Sequence, residues 1–293
     1  MQDLLVEIFY DVDNYSIAFE NYCKSHFLAE GSDNNFAILR SKNLSLSEVM
    51  TIVIYFHLSN YRNFKAYYKE HVSTVLKPYF PKIVSYNRFV ELMQEALIPL
   101  LLYMTKFRAG KCTGISFIDS TTLDVCHNRR IHSHKVFKGI AERGKSSTGW
   151  FYGFKLHLVI NDKGEILSFY LTRGNVDDRD PKVIEQLTKE LFGDKGYLSQ
   201  KISDILFSKG VQLITKLKKN MKNKLMLMED KILLRKRAII ETINDHLKNI
   251  CQIEHSRHRS VTNFMVNIVS GLITYSFLPK KPSLKLDKYA TLA

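Results

Sequence analysis

Three acids far apart in the chain could do chemistry if folding brought them together: Asp119 in "FIDST", Asp194 in "FGDKGY" and Glu241 in "RKRAIIETINDHLK". Three carboxylates sharing a site with no buried Lys between them repel one another unless a cation neutralises them. Hard oxygen ligands of this kind select Mg2+ or Mn2+ over zinc, and two such ions roughly 3.5–4 Å apart clamp a phosphodiester during in-line displacement. One ion lowers the pKa of an attacking water or 3′-hydroxyl while the other stabilises the leaving oxygen. Helical spacing places Glu241 almost opposite an apolar stripe of Ile239, Ile240, Ile243, Leu247 and Ile250. Arg237, four residues earlier, and Lys248, seven residues later, share its polar face. Taken alone, that face is an ordinary solvated Arg–Glu pair worth a few tenths of a kcal/mol.

The elements that must carry these acids are legible in outline. Residues 1 to about 105 read as helices: "SLSE" forms a capping box at Ser45 and Glu48 ahead of "EVMTIVIYFHL", which is apolar nearly all round and so expected to be buried. "NFKAYYKEHVSTVLKPYF" and "SYNRFVELMQEALIPLLLYM" continue the helical reading. From about residue 112 the texture changes. "GISFIDS" reads as a strand with Asp119 at its C-terminal end, and "FYGFKLHLVI" and "EILSFYLT" flank the hairpin signal "NDKG". "DRDPKVIEQLTKELF" reads as a helix opening at Asp180–Pro181, with a short strand before Asp194. Then come the helix in "GDKGYLSQKISDILFSKG", the strand "VQLITKL", the Glu241 helix and an apolar helix around 261 to 277. This order predicts a mixed α/β sheet with an antiparallel hairpin, and the ends of central strands in such sheets are where sites are built.

The chain has 293 residues with 43 Lys+Arg against 29 Asp+Glu, a net charge of +14, which points to a polyanionic partner, nucleic acid first and an anionic membrane surface second. No two of its four cysteines form a CxxC, which fits a reducing cytosol better than a disulfide framework. The start "MQDLLVEIFYDVDNYS" lacks the basic region and apolar core of a signal peptide, and no run reaches the ~18 apolar residues of a spanning helix. A cytoplasmic protein with no membrane contact is the expectation.

The motifs "FIDST" and "GDKGY", with a helix spaced Arg237–three residues–Glu241–six residues–Lys248, resemble the DDE transposases of bacterial insertion sequences. The segment "HKVFKGIAERGKSSTGWFYGFKLHLVINDKGEI" and the earlier "FPKIVSYNRF" look like the insertion-sequence 982 family in particular, and the resemblance covers roughly residues 45 to 280. It implies a ribonuclease H-like mixed sheet flanked by helices, over residues 109–280. The helical residues 1–108, with their Lys/Arg/Tyr mixture, read either as a DNA-binding domain or as a helical bundle without a ligand, and residues 281–293 read as a flexible basic tail. The resemblance makes Asp119, Asp194 and Glu241 the catalytic, metal-binding triad for two Mg2+ or Mn2+ ions, with Arg237 and Lys248 holding DNA phosphates. The implied partners are double-stranded DNA, both terminal inverted repeats and target, with a homodimer assembled on it. Two positions depart from the family pattern. Leu234 stands where that pattern has Tyr, and Arg173 stands where Pro is expected ahead of Gly174–Asn175, which leaves Asn175 and Asp177 as rim candidates.

Two basic stretches suit a phosphate backbone. One runs from Thr215 to Arg237 with nine Lys/Arg against two acids, including Lys216, Lys218 and Lys219; the other runs from Arg129 and Arg130 to Lys145, with His132 and His134 interleaved. Lys195, beside Asp194, belongs to the same DNA-binding set. A solvated lysine-rich loop is the alternative for either stretch. Trp150, Phe151 and Tyr152 could stack on an unpaired base or pack in a core. "CHNRRIHSH" matches no standard zinc finger spacing, and His157 in "GFKLHL" is either catalytic or a hydrogen-bonded strand histidine. Three functions remain: a transposase that cleaves element ends and joins them to target DNA, a nuclease of the same fold without strand transfer, and a catalytically silent DNA-binding derivative.

Overall fold

The computed structural model describes residues 2–27, 43–147, 149–177, 189–197, 200–216, 225–255 and 258–284. By contact the chain divides into two units: Met1–Arg108 with Leu247–Ile253 and His258–Phe277, and Ala109–His246 with Glu254–Arg257 and Leu278–Ala293. The expected tail falls mostly outside the described residues.

In the first unit, α1 (Gln2–Phe27) buries Leu5, Ile8, Val12, Tyr15, Phe19 and Cys23 at helical spacing. α2 (Leu46–Phe56) starts at the capping box, in which Glu48 N donates to Ser45 Oγ at 3.1 Å and Ser45 N donates to Glu48 Oε2 at 2.7 Å. Every residue of α2 except Glu48 is buried, as its all-round apolar sequence requires. The long helix expected next is cut short: α3 (Phe64–Ala66) runs into a π-type turn over Tyr67–Val72, and Pro78 and Pro81 keep the following chain in turns. α4 (Tyr86–Glu95), capped by Ser85, and α5 (Leu97–Tyr103) complete the N-terminal set.

The second unit is built on six strands: β1 (Ile115–Cys126), β2 (Glu142–Ser146), β3 (Gly149–Asn161), β4 (Ile166–Arg173), β5 (Lys189–Gly193) and β6 (Val211–Thr215). β1 pairs antiparallel with β3 and parallel with β5, β4 is antiparallel to β3, and β6 is parallel to β5. The order β4–β3–β1–β5–β6, three antiparallel strands followed by two parallel ones, is that of the ribonuclease H fold. β2 is an addition that sequence reading missed, because "ERGKS" carries no apolar alternation. It lies end to end with β4 along the same edge of β3: β3 residues 149–153 pair with β2 and residues 154–160 with β4. The two strands abut at Gly144 and Gly174, where a Cβ on Gly144 would come within 2.1 Å of Gly174 O.

Asp119 is not at a strand end; it is the fifth residue of the twelve-residue β1, which continues because "TTLDVC" pairs with β3. What ends nearby is the parallel half of the sheet, whose last β1–β5 pair is Phe117↔Phe192. The helical reading of "DRDPKVIEQLTKELF" falls largely outside the described residues, and its end, Lys189–Phe192, is strand β5. The helices α6 (Gln200–Ser208), α7 (Met228–Lys236) and α8 (Ala238–Asp245) follow; the single Glu241 helix expected from the sequence is broken at Arg237. Ile239, Ile240, Ile243 and Leu247 are buried as the stripe predicted, but Ile250 is exposed.

α9 (Val261–Phe277), expected within the catalytic domain, instead belongs to the first unit and is enclosed on nearly all sides. Arg108 clamps it to α1. Its Nη1 pairs with Asp11 Oδ2 at 2.7 Å, its Nε donates to Ser276 Oγ at 2.9 Å and its Nη2 to Ser276 O at 3.2 Å, while Tyr103 OH also donates to Asp11. The guanidinium lies 3.8 Å from the Phe277 ring centroid. No helix among the described residues is long and apolar enough to cross a membrane. Arg108→Ala should lower unfolding free energy by roughly 2 kcal/mol in urea titrations. Arg108→Lys should recover less than half of that loss, because an ammonium cannot fork between Asp11 and Ser276.

Candidate active site

Alternation along β1 divides its side chains between two faces of the sheet. Ile118 packs with Val159, Leu191, Tyr197, Val211 and Leu206 of α6 on one face, so Asp119 points to the other, where α8 lies. Phe117 and Phe192 share that second face, with ring centroids 5.5 Å apart. Carried two residues past the Phe117↔Phe192 pair, the parallel register sets Asp194 level with Asp119. Asp194 follows directly on Gly193, the last residue of β5. Gly193 leaves room for close packing, since a Cβ there would meet Ile118 Cγ2 at 3.1 Å.

Glu241 comes from α8, and Arg237 joins it to the sheet. Arg237 Nη2 donates to Glu241 Oε1 at 2.9 Å, and Nη1 stands 3.5 Å from Asp119 Oδ1. The Arg237 side chain is only 18% exposed, against 58% for Glu241. This is a partly buried cation shared between two carboxylates, a different thing from the solvated surface pair that helical spacing alone allows. Asn244, which sequence reading missed, completes the contact by donating from Nδ2 to Asp119 Oδ2 at 3.3 Å. The available signal was its place seven residues after Arg237, a polar side chain at the margin of the apolar stripe. Asn244 Oδ1 is buried and has no hydrogen-bond partner among the described residues.

Burial pushes the Asp119 carboxyl up to about 6, against the opposing pull of Arg237 and the Ser120 backbone N–H; Glu241 and Asp194 add to the rise by like-charge repulsion. Among the described residues no three of His, Cys, Asp and Glu gather closely enough to hold a metal ion; between Asp119 and Glu241 stands the guanidinium. The donor chemistry nevertheless suits a hard divalent cation. All three candidate donors are carboxylates, and Asp119 is a partly buried acid whose charge is raised in energy by the other two.

The remaining candidates are spread more widely. Lys195, on a short turn over Lys195–Tyr197 next to Asp194, and Lys216, directly after β6, are exposed; Lys218 and Lys219 lie outside the described residues. Lys248 is half-buried on a π-type turn over His246–Ile250 and falls in the stretch belonging to the helical unit. Arg129 and Arg130 are exposed on a 3-10 turn over Asn128–Ser133. Leu234 is buried on α7, so the site of the family's Tyr carries an apolar packing residue. Arg173 pairs with Phe154, itself opposite Leu123, four residues along β1 from Asp119, and the exposed Asn175 and Asp177 follow beyond that level, after the end of β4. His157 is fully buried and hydrogen-bonded through Nε2 to Thr172 Oγ1 at 2.9 Å, which accounts for it as a strand histidine. His134 stacks on Phe137 at 5.6 Å, and burial lowers its pKa. Phe151 and Tyr152 are buried, whereas Trp150 is 53% exposed.

Residues 109–261 match a family model described as a transposase DDE domain. Among solved structures, the chain is similar to a piggyBac transposase synaptic complex with hairpin DNA, at 9% identity and a TM-score of 0.45, over 92% of this chain and 72% of that one. No curated protein matches the chain.

Between pH 4 and about 6, the native state keeps a proton on Asp119 that the unfolded chain has already released, so stability falls as pH rises through that window. In EDTA, Asp119→Asn should escape this decline. Its urea stability relative to wild type should therefore rise by roughly 2 kcal/mol between pH 4 and pH 7. Arg237→Gln removes the strongest influence holding the carboxyl down, and an NMR titration should find its midpoint above about 6.

Proposed function

The chain belongs to the transposase family defined by the DDE domain, and from that membership we propose that it cleaves DNA at the terminal inverted repeats of an insertion sequence and joins the freed 3′-hydroxyl ends to target DNA. Asp119, Asp194 and Glu241 are the catalytic acids of this reading. The observation that carries it is the Arg237 guanidinium reaching Asp119 of β1 and Glu241 of α8 together, on the face where the register levels Asp194 with Asp119. Residues 119, 194 and 241 have little reason to share one electrostatic neighbourhood unless that neighbourhood does something.

The three carboxylates would hold Mg2+ or Mn2+, two ions in the complete site. Bound there, these cations supply an attacking water or 3′-hydroxyl with a lowered pKa and stabilise the departing oxygen. The chain's own groups do the rest. Asn244 fixes the Asp119 carboxylate through Oδ2 and leaves Oδ1 directed at Arg237. Arg237 neutralises the acids of the free protein and, once they are neutralised otherwise, presents its fork to a phosphate beside the scissile bond. Lys195 and Lys216 extend positive charge to either side of the second acid, and Lys218, Lys219, Lys248, Arg129 and Arg130 complete the DNA-binding set. Hydrolysis breaks the bond from phosphorus to the 3′-oxygen, which leaves as the 3′-hydroxyl; that hydroxyl then attacks a target phosphodiester and displaces a second 3′-oxygen. Two ends must be held together for joining, so the working form is a homodimer on DNA, acting in the cytoplasm, with residues 1–108 contributing DNA contacts.

Purified protein incubated with the element's own terminal repeats should nick at the repeat boundary in Mg2+ or Mn2+ and not in EDTA. Glu241→Gln should abolish nicking, by at least about a hundredfold, while gel-shift affinity for the repeats persists. A joined product on supercoiled plasmid distinguishes a transposase from a nuclease. Binding without cleavage in either metal would make the chain a silent DNA-binding protein.

A further inference from the structure

Trp150 is the chain's only tryptophan, and it is placed unlike its aromatic neighbours. Phe151, Tyr152 and Phe154 find room in the core, while Trp150 stays more than half exposed at the start of β3. Its cross-strand partner on β2 is Lys145, and Arg143 is the next residue of β2 on the same face. Arg143 Cζ lies 4.8 Å and Lys145 Nζ 5.8 Å from the indole centroid. Asn128 Nδ2 donates to Trp150 O at 2.6 Å, which moors the Asn128–Ser133 turn, with its exposed Arg129 and Arg130, to the same strand.

We propose that Trp150 is a stacking platform for an unpaired DNA base, with Arg143, Lys145, Arg129 and Arg130 gripping the phosphates on either side. This rests on the reading that the chain acts on DNA, and it adds where and in what form the strand is held. A nucleotide offers both halves of the complement, a π-face for the indole and an anion for each flanking cation. An acidic peptide would use the cations and leave the indole in water. A lipid surface would need a broader apolar patch than one side chain among four cations. Paired bases bury their faces in the duplex, so the platform takes a base at an end, in a flap or flipped out of the stack.

Because no other tryptophan contributes, indole fluorescence reports on this position alone. The probes are three DNA duplexes of one sequence: blunt, with a short unpaired 3′ tail, and with an abasic tail of equal charge. The tailed duplex should quench the fluorescence and bind more tightly than the abasic one. Trp150→Ala should weaken tailed binding by at least about fivefold while leaving the blunt duplex within about twofold, and Trp150→Phe should restore most of the loss. Equal binding of tailed and abasic duplexes by the wild-type protein, or tailed binding without quenching, overturns the platform but leaves DNA binding standing. If no duplex changes the anisotropy of a labelled probe, the DNA reading itself fails and the platform fails with it.

Discussion

Carboxylates brought together in a partly buried place repel one another, and the protein meets that constraint with a single guanidinium. Arg237 sits where α7 gives way to α8, so its side chain reaches back to Asp119 on β1 while Glu241, one turn later, stays within 2.9 Å. The break in the helix, the burial of Ile240 and Ile243 and the alternation that turns Asp119 towards α8 all serve that meeting. Asn244, from the same helix face as Arg237, holds the other oxygen of Asp119. Without the shared charge, burial would drive Asp119 further towards its neutral form, and the neighbourhood would lose negative character.

Much of this was legible in the chain itself. The capping box at Ser45, the β3–β4 hairpin around "NDKG", the short strand before Asp194 and the stripe on α8 all follow from local rules of spacing and turn chemistry, and each appears in the structure. Local rules fail where long-range pairing decides. β1 runs on past Asp119 because "TTLDVC" finds a partner in β3, and β2 forms from a stretch with no strand signature because the edge of β3 was open to it. α9 lies in sequence beyond the three acid motifs but packs in the helical unit, since a helix apolar all round goes wherever it can be enclosed.

The site divides in the same way. Motif order singled out the three acids and the Arg237–Glu241 spacing as candidates; for Asn244 the spacing from Arg237 gave only its helix face, and its partner, 125 positions away, appears only in the fold. Leu234 shows the converse. Its departure from the family's Tyr was plain in the sequence, while its burial shows that the position carries packing here. Trp150 was open to either reading until its surroundings separated it from Phe151 and Tyr152.

β3 also works as a ruler. It runs unbroken from Trp150 to Leu158, the register partner of Asp119. At ~3.3 Å per residue, those eight residues hold the indole roughly 25 Å from the acid. That is about seven or eight base steps of duplex at ~3.4 Å each. A strand paired to β2 at Trp150 and along both edges from Tyr152 onward does not stretch as a loop would, so a nucleotide gripped at the indole and a phosphodiester at the acids would be counted off at a fixed separation, about three quarters of a turn of the double helix.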